Sequence, residues 1–325
     1  MSNGSCISIV VPVYNSERSL PLLAERLSHV LQPRHQLGEL ILVNDGSGDG
    51  SWEVIEHLSA RYSWIRGINL MRNYGQHNAL LCGIRAAAFP IVVTMDDDLQ
   101  NPPEEIPALL SELQQGYDVV YGTPQHQAHG VLRDLASTIT KWVLQGAMGA
   151  ETARNVSAFR AFRTQVRNAF EAYGGPYVSI DVLLTWGTKR FSSVIVRNDP
   201  RKIGVSNYTV AKLVVHAMNM MTGFSTVPLQ VASLIGFVFT LFGFAVLLYV
   251  LGRYWLQGTA PPGFPFIASL LAIFSGAQLF ALGIIGEYLA RIHFRMMDRP
   301  TYAVREASSL ETAMDNLTQS NYGTD

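Results

Sequence analysis

Apolar residues in the first third of the chain come in short unbroken runs, each followed by a longer segment in which they recur at helical spacing. "CISIVVPVY" reads as a strand ending near Pro12, and "SLPLLAERLSHVL" after it has Leu22, Leu23, Leu27 and Val30 at helical intervals. "LGELILVND" predicts a second strand, with "GSWEVIEHLSARY" as its helix. "IRGINLMRN" and "QHNALLCGIRAAA" repeat the pair. "PIVVTMDDD" is a fourth strand, followed by "PPEEIPALLSELQQG", a helix that Pro102 and Pro103 are suited to open. "DVVYGTP" is a fifth strand. Strands alternating with helices imply parallel crossovers in a sheet covered on both faces, so the fold class is α/β.

Beyond Val214 the pattern changes. No charged residue occurs from Val227 to Leu251, nor from Phe266 to Gly286. Each stretch exceeds the roughly 20 residues needed to cross a bilayer core, which predicts two transmembrane helices. The loop between them holds one cation, Arg253. Arg201, Lys202 and Lys212 precede the pair, and Arg291, Arg295 and Arg299 follow it. That asymmetry predicts both termini in the cytoplasm. Tyr249, Tyr254 and Trp255 suit one membrane interface and Tyr288 the other. "NYTVAKLVVHAMNMMTGF", before the first span, fits either a helix lying flat on the cytoplasmic leaflet or an ordinary packed helix. The expected organisation is a catalytic domain over 1–205, a juxtamembrane segment over 206–226, a two-helix membrane hairpin over 227–290 and a cytoplasmic tail over 291–325.

Composition agrees with that division. Only 15% of the 325 residues are charged, below the roughly 25% of ordinary soluble domains. Lys and Arg number 24 against 25 Asp and Glu, a net charge of −1, which offers no field for nucleic acid. Two cysteines, Cys6 and Cys82, give neither a disulfide framework nor a metal spacing. The N-terminus lacks the basic and apolar regions of a cleaved signal peptide.

In α/β sheets ligands bind beyond the carboxyl ends of the strands. Tyr14 and Asn15, Asn44 and Asp45, Arg72 and Asn73, then Asp96, Asp97 and Asp98 follow the first four strands and predict one polar rim. Three adjacent carboxylates repel one another. A solvated turn tolerates them, and a divalent cation turns the repulsion into shared ligation. Alternation along an extended strand would point Asp96 and Asp98 one way and Asp97 the other. Two carboxylates, completed by phosphates and water, suit Mg²⁺ or Mn²⁺. "GSGDGS" only half matches a dinucleotide fingerprint: Ser51 stands where the third glycine belongs, and the third strand ends without an acid.

"VVPVYNSE", "VNDGSGDGS", "NLMRNYGQHNAL" and "MDDDLQNPPEEI", in that order, resemble the family 2 glycosyltransferases of the GT-A fold. With the two apolar stretches and "GIIGEYLARIHFRMMDRPTY", the resemblance is closest to the polyprenyl-phosphate group, which loads sugars onto undecaprenyl phosphate. It implies a GT-A, Rossmann-like, mostly parallel sheet followed by interfacial helices and two transmembrane helices. It also implies inverting transfer from a nucleotide-diphosphate sugar, with UDP favoured, in a bacterial inner membrane enzyme; relatives of this kind are often tetramers.

By position, the resemblance assigns Pro12, Tyr14, Glu17 and Asp45 to the base and ribose, and Arg72 and Asn73 to the nucleotide border. Asp96 and Asp98 engage the metal and diphosphate, with Asp97 and Gln100 beside them. "HGVLRDLASTITKWV" offers Arg133, Ser137 and Lys141 to the lipid phosphate, one helical turn apart. "RKIGVSNYT" offers Arg201, Ser206 and Tyr208, with Asn207 in place of the usual lysine. Two further departures are Gln125 and His126 where an arginine often stands, and Ser157 where an acid is expected, although Arg160 and Arg163 remain. A lipid phosphate is already anionic, so no strong general base is required. The rival readings are a processive synthase, for which the chain lacks Q-x-x-R-W and further spans, and an inert sugar-nucleotide sensor or scaffold.

Overall fold

The computed structural model describes residues 6–31, 38–124, 155–175, 177–199, 226–257 and 263–308. These fall into two units. One holds the residues before Val214 together with those from Arg299 on, and the other runs Val214–Asp298.

In the first unit, strands β1 (Ile7–Val13), β2 (Gly38–Asn44), β3 (Ile65–Leu70) and β4 (Ile91–Thr94) are joined by helices α1 (Leu20–Leu31), α2 (Ser51–Arg61) and α3 (Gln76–Ala86). A short 3-10 turn, Pro103–Glu105, leads into α4 (Ile106–Gln114), and then come β5 (Val119–Pro124), β6 (Arg160–Arg163), a second 3-10 segment (Thr164–Phe170), α5 (Ile180–Gly187) and β7 (Phe191–Val196). The eight-stranded sheet has the order β7-β5-β6-β4-β1-β2-β3-β8, where β8 is Val304–Ala307. β1 runs parallel to β2 and β4, β2 to β3, and β5 to β7. β6 is antiparallel to β4 and β5, and β8 to β3.

β1 is buried along its whole length because helices cover both faces, so it reads as a continuous apolar run rather than an alternating one. Pro12 is tolerated in this central strand for a geometric reason. The Val10 carbonyl accepts from Met95 N, and Pro12 faces the same side two residues on, past the end of β4 where no ladder donor is needed. On the opposite face of the sheet from α1, Gly83 lets α3 approach closely: a Cβ there would stand 2.4 Å from Val10 Cγ1 and 3.0 Å from Val43 Cγ2.

Two details depart from the sequence reading. The buried face of α1 is Leu20, Leu23, Ala24, Leu27 and Leu31, and Leu22 is exposed. The residues after the second apolar helix do not all form a separate tail: Val304–Ala307 add an edge strand to the catalytic sheet.

The second unit is a pair of helices, α6 (Val227–Gln257) and α7 (Phe264–Met296). Both are long and apolar enough to cross a membrane, and their apolar stretches are not buried within the protein. They pack through an edge-on contact of Phe239 and Phe274, with ring centroids 5.7 Å apart. Gly243 leaves room for the Phe274 ring, which a Cβ would meet at 2.9 Å.

Candidate active site at the carboxyl ends of the strands

The expected polar rim forms where β1 to β4 end. After β1, Asn15 adopts a left-handed conformation (φ 56°). There its side-chain oxygen accepts from Gly48 N at 2.8 Å while its own N–H donates to Ser47 Oγ at 3.0 Å. Ser16 N–H donates to Ser51 Oγ at 2.8 Å, and Gly50 N–H donates to Glu17 Oε2 at 3.3 Å. These bonds lock the β1 loop to the β2 loop and leave Tyr14 with 46% of its surface exposed.

Asp45, just past β2, is buried and binds a third loop. Its Oδ1 accepts from Tyr74 N–H at 2.7 Å and its Oδ2 from Gly75 N–H at 2.8 Å. Burial pushes its carboxyl above the usual range, and the two amides offset part of that rise. Gly46 follows at φ 66°, and a Cβ there would lie 2.5 Å from Asn73 N and 2.6 Å from Arg72 C, so the β2 and β3 loops touch backbone to backbone. Arg72 lays its guanidinium 4.5 Å from the Tyr74 ring centroid, which orients an exposed cation at the rim.

The acidic cluster is a turn, not the end of a strand. β4 stops at Thr94, so strand alternation does not govern Asp96, Asp97 and Asp98, and each carboxylate is held separately. Asp96 Oδ1 accepts from Gln76 Nε2 at 2.6 Å, at the start of α3. Asp97 turns toward the β1 loop, where the Ser16 hydroxyl and the Tyr14 amide hold it. Burial pushes its carboxyl up to about 6, against those two bonds and with a smaller push from Asp98. Asp98 Oδ1 accepts from Gln100 N–H at 3.1 Å, closing the turn across Leu99, itself buried at φ 60°. The Gln100 carbonyl accepts from Asp199 N–H at 2.8 Å, which brings the segment after β7 to the same turn. Among the described residues no group of three or more His, Cys, Asp or Glu converges as a metal site. A cation at this turn would therefore take no more than two carboxylates from the described residues.

Behind the turn lies a buried polar network. Arg160, 2% exposed, pairs with Asp181 and donates from Nε to Thr94 Oγ1 at 3.1 Å, while Tyr121 donates its hydroxyl to Asp181 Oδ1 at 3.1 Å. Thr94 in turn donates to the Ala158 carbonyl at 2.8 Å. Arg160 thus braces the last residue of β4 and does not reach the rim. Arg163 pairs in the ladder with Ile91, at the far end of β4 from the acidic turn. Ser157 accepts from Phe159 N–H at 3.2 Å and shapes its own loop.

Tyr14, Glu17, Asp45, Arg72, Asn73, Asp96, Asp97, Asp98 and Gln100 therefore all belong to the loops of one rim, and Pro12 is the buried penultimate residue of β1 beneath it. Arg133, Ser137, Lys141, Arg201, Ser206 and Tyr208 lie outside the described residues, as do Gln125, His126 and Asn207. Ser16, Ser47 and Gln76 were not anticipated. The only hint of Gln76 was its place at the start of a helix directly after the third rim segment.

The model for glycosyl transferase family 2 matches residues 8–170, which span every one of these rim loops. The chain is a member of glycosyl transferase family 2. Close to its full length, this glycosyltransferase is 36% identical, over 313 residues, to the undecaprenyl-phosphate 4-deoxy-4-formamido-L-arabinose transferase of Yersinia enterocolitica. That alignment covers 95% of this chain and 96% of the relative. The protein of the same name from Pectobacterium carotovorum is 35% identical, with 95% of each chain covered. Among solved structures, the sheet domain is similar to glucosyl-3-phosphoglycerate synthase from Mycobacterium tuberculosis in complex with Mn²⁺, UDP and glucosyl-3-phosphoglycerate. The TM-score is 0.51 at 19% identity, covering 67% of this glycosyltransferase and 78% of the synthase, a likeness of fold.

Proposed function

We propose that this family 2 glycosyltransferase moves a sugar from a nucleoside diphosphate donor, UDP in the first instance, to undecaprenyl phosphate at a membrane surface. The observation that carries the reading is the acidic turn after β4. It stands on the same rim as the loops of β1, β2 and β3, in a chain aligned end to end with transferases named for that acceptor. The sugar those relatives are named for, 4-deoxy-4-formamido-L-arabinose, is the first to test.

In this reading Pro12, Tyr14, Glu17 and Asp45 border the base and ribose, with Glu17 and Asp45 acting largely by fixing the loops they hold. Arg72 and Asn73 border the nucleotide, and Asp97 and Gln100 shape the turn that faces the diphosphate. The hard oxygens of Asp96 and Asp98 fit Mg²⁺ or Mn²⁺ held in part by the donor's phosphates. When bound, such an ion neutralises charge on the departing diphosphate. Arg133, Ser137 and Lys141, then Arg201, Ser206 and Tyr208, would receive the lipid phosphate.

A phosphate oxygen of the acceptor forms the new bond to the anomeric carbon as the bond from that carbon to the diphosphate oxygen breaks, so the centre inverts. The nucleophile arrives already charged, and the protein's tasks are alignment and stabilisation of the leaving group. Asp181, committed to Arg160 and Tyr121, is not needed as a base. Helices α6 and α7 would keep the enzyme at the bilayer that holds the acceptor. The chain leaves the catalytic unit for this hairpin and rejoins it at β8, which supports both outer ends lying on one side, the cytoplasmic side by charge.

The test is to incubate purified protein with undecaprenyl phosphate, Mn²⁺ and a panel of UDP- and GDP-sugars and weigh the lipid by mass spectrometry. A lipid heavier by one sugar phosphodiester-linked to the carrier is expected. Nucleotide binding with no lipid product across the panel would point to a sensor instead.

A further inference from the structure

The strand β8 is unused by the mechanism above, yet it is tied to the rim. It begins eight residues after Met296, where α7 ends. It pairs with β3 at Ile68↔Ala307, Asn69↔Glu306 and Leu70↔Val304, with a register shift at Asn69 and Leu70. Next to it Met71 N–H donates to the Ala303 carbonyl at 2.9 Å, and Arg305 donates to the Met71 carbonyl at 3.3 Å. Met71 directly precedes Arg72.

A row of side chains then leads from β8 across two strands into the rim. Asn69 donates from Nδ2 to Glu306 Oε1 at 2.8 Å, and Asn44 donates from Nδ2 to Asn69 Oδ1 at 2.8 Å. Ser47 Oγ donates to Asn44 Oδ1 at 2.5 Å, and Asn15 N–H donates to Ser47 Oγ at 3.0 Å. Asn44 and Asn69 are 3% and 6% exposed, so neither amide can turn to water for a partner.

The direction of this row is set at both ends: Glu306 accepts at one, and at the other the Ser47 N–H donates to Asn44 Oδ1 at 3.3 Å. A carboxylate only accepts, so Glu306 obliges Asn69 to present its NH₂ group. That leaves the Asn69 oxygen for the Asn44 NH₂ group, and the Asn44 oxygen for the Ser47 hydroxyl. The Ser47 N–H requires the Asn44 oxygen, and the Glu306 carboxylate takes the Asn69 NH₂ group at the outer end of the row.

We infer that Glu306 is a positioning residue for the donor nucleotide: it anchors the outer end of the Asn69–Asn44–Ser47–Asn15 row, and so steadies the β1 and β2 loops that border the base. The inference rests on the donor reading given above. It makes the strand that follows the membrane hairpin part of the donor site.

The experiment compares full-length wild type, Glu306→Leu and Glu306→Gln in detergent, with UDP and Mn²⁺ in calorimetry and undecaprenyl phosphate in turnover. Glu306→Leu should weaken UDP roughly three- to tenfold, the effect of one lost hydrogen bond, with the KM for lipid phosphate unchanged. Glu306→Gln, which keeps an accepting oxygen, should recover most of the affinity. Unchanged UDP binding in Glu306→Leu, equal loss in both variants, or a parallel rise in donor and acceptor KM would overturn the inference. If Glu306→Leu does not fold, Glu306→Asp, which keeps the charge but withdraws it from Asn69, serves in the same comparison. A wild type that binds no UDP defeats the donor reading itself, and so the wild-type titration separates the two failures.

Discussion

Gly46 concentrates the demands of the site on one residue. Its φ of 66° costs an L side chain about 1 kcal/mol, and a Cβ would press on the backbone of Arg72 and Asn73 rather than on a side chain that can move. Gly46→Ala should therefore displace the β3 loop and weaken UDP by about tenfold or more while the core stays folded, measured by calorimetry beside a melting curve. Affinity equal to wild type would show that the β2 and β3 loops act independently. At this scale the sequence was informative about which residues face the rim, because Asp45, Arg72 and the three aspartates all follow apolar runs. It was silent about their partners. Gln76 on Asp96 and Ser16 on Asp97 are contacts between distant segments, and no local pattern encodes them.

The elements that could be read in advance are those with a strong period. β1 to β5 and α1 to α4 each carry a long apolar run or a clear helical face, and they appear where expected. β6 and β8 were not legible. Each is four residues long, and "RAFR" and "VREA" carry charges that argue against a strand. Arg160 is buried in β6 only because Asp181, far along the chain, supplies its counter-charge. Local propensity cannot report such a pairing. The packing of α3 on the sheet makes a prediction of its own. Gly83→Val would drive methyl groups into Val10 and Val43, and overpacking of this kind costs about 1–3 kcal/mol. A melting temperature several degrees lower is expected, and no change would mean that α3 stands further from the sheet than described.

For the whole molecule, charge-free stretches revealed the helix pair, but the sequence left the following residues as a tail. Their return to the sheet at β8 ties both ends of the hairpin to one domain. The orientation proposed here places Gln257, at the end of α6, on the far side of the membrane from that domain. In a Cys6→Ser background, Gln257→Cys should react with an impermeant maleimide added outside intact cells, whereas Arg299→Cys should react only after permeabilisation. Cys82 adds no background, since burial pushes its thiol up to about 12. The reverse labelling pattern would invert the topology and separate the active site from a cytoplasmic donor.

The account depends most on the acidic turn acting on the donor during transfer to a lipid phosphate. The direct measurement is the initial rate of sugar transfer from the active nucleotide sugar to undecaprenyl phosphate, with Mn²⁺ present, by wild type and by Asp98→Asn of equal melting temperature. A fall of roughly 10²–10³-fold, the scale of losing a main stabiliser of the leaving charge, is predicted. A rate within a few-fold of wild type would contradict the account.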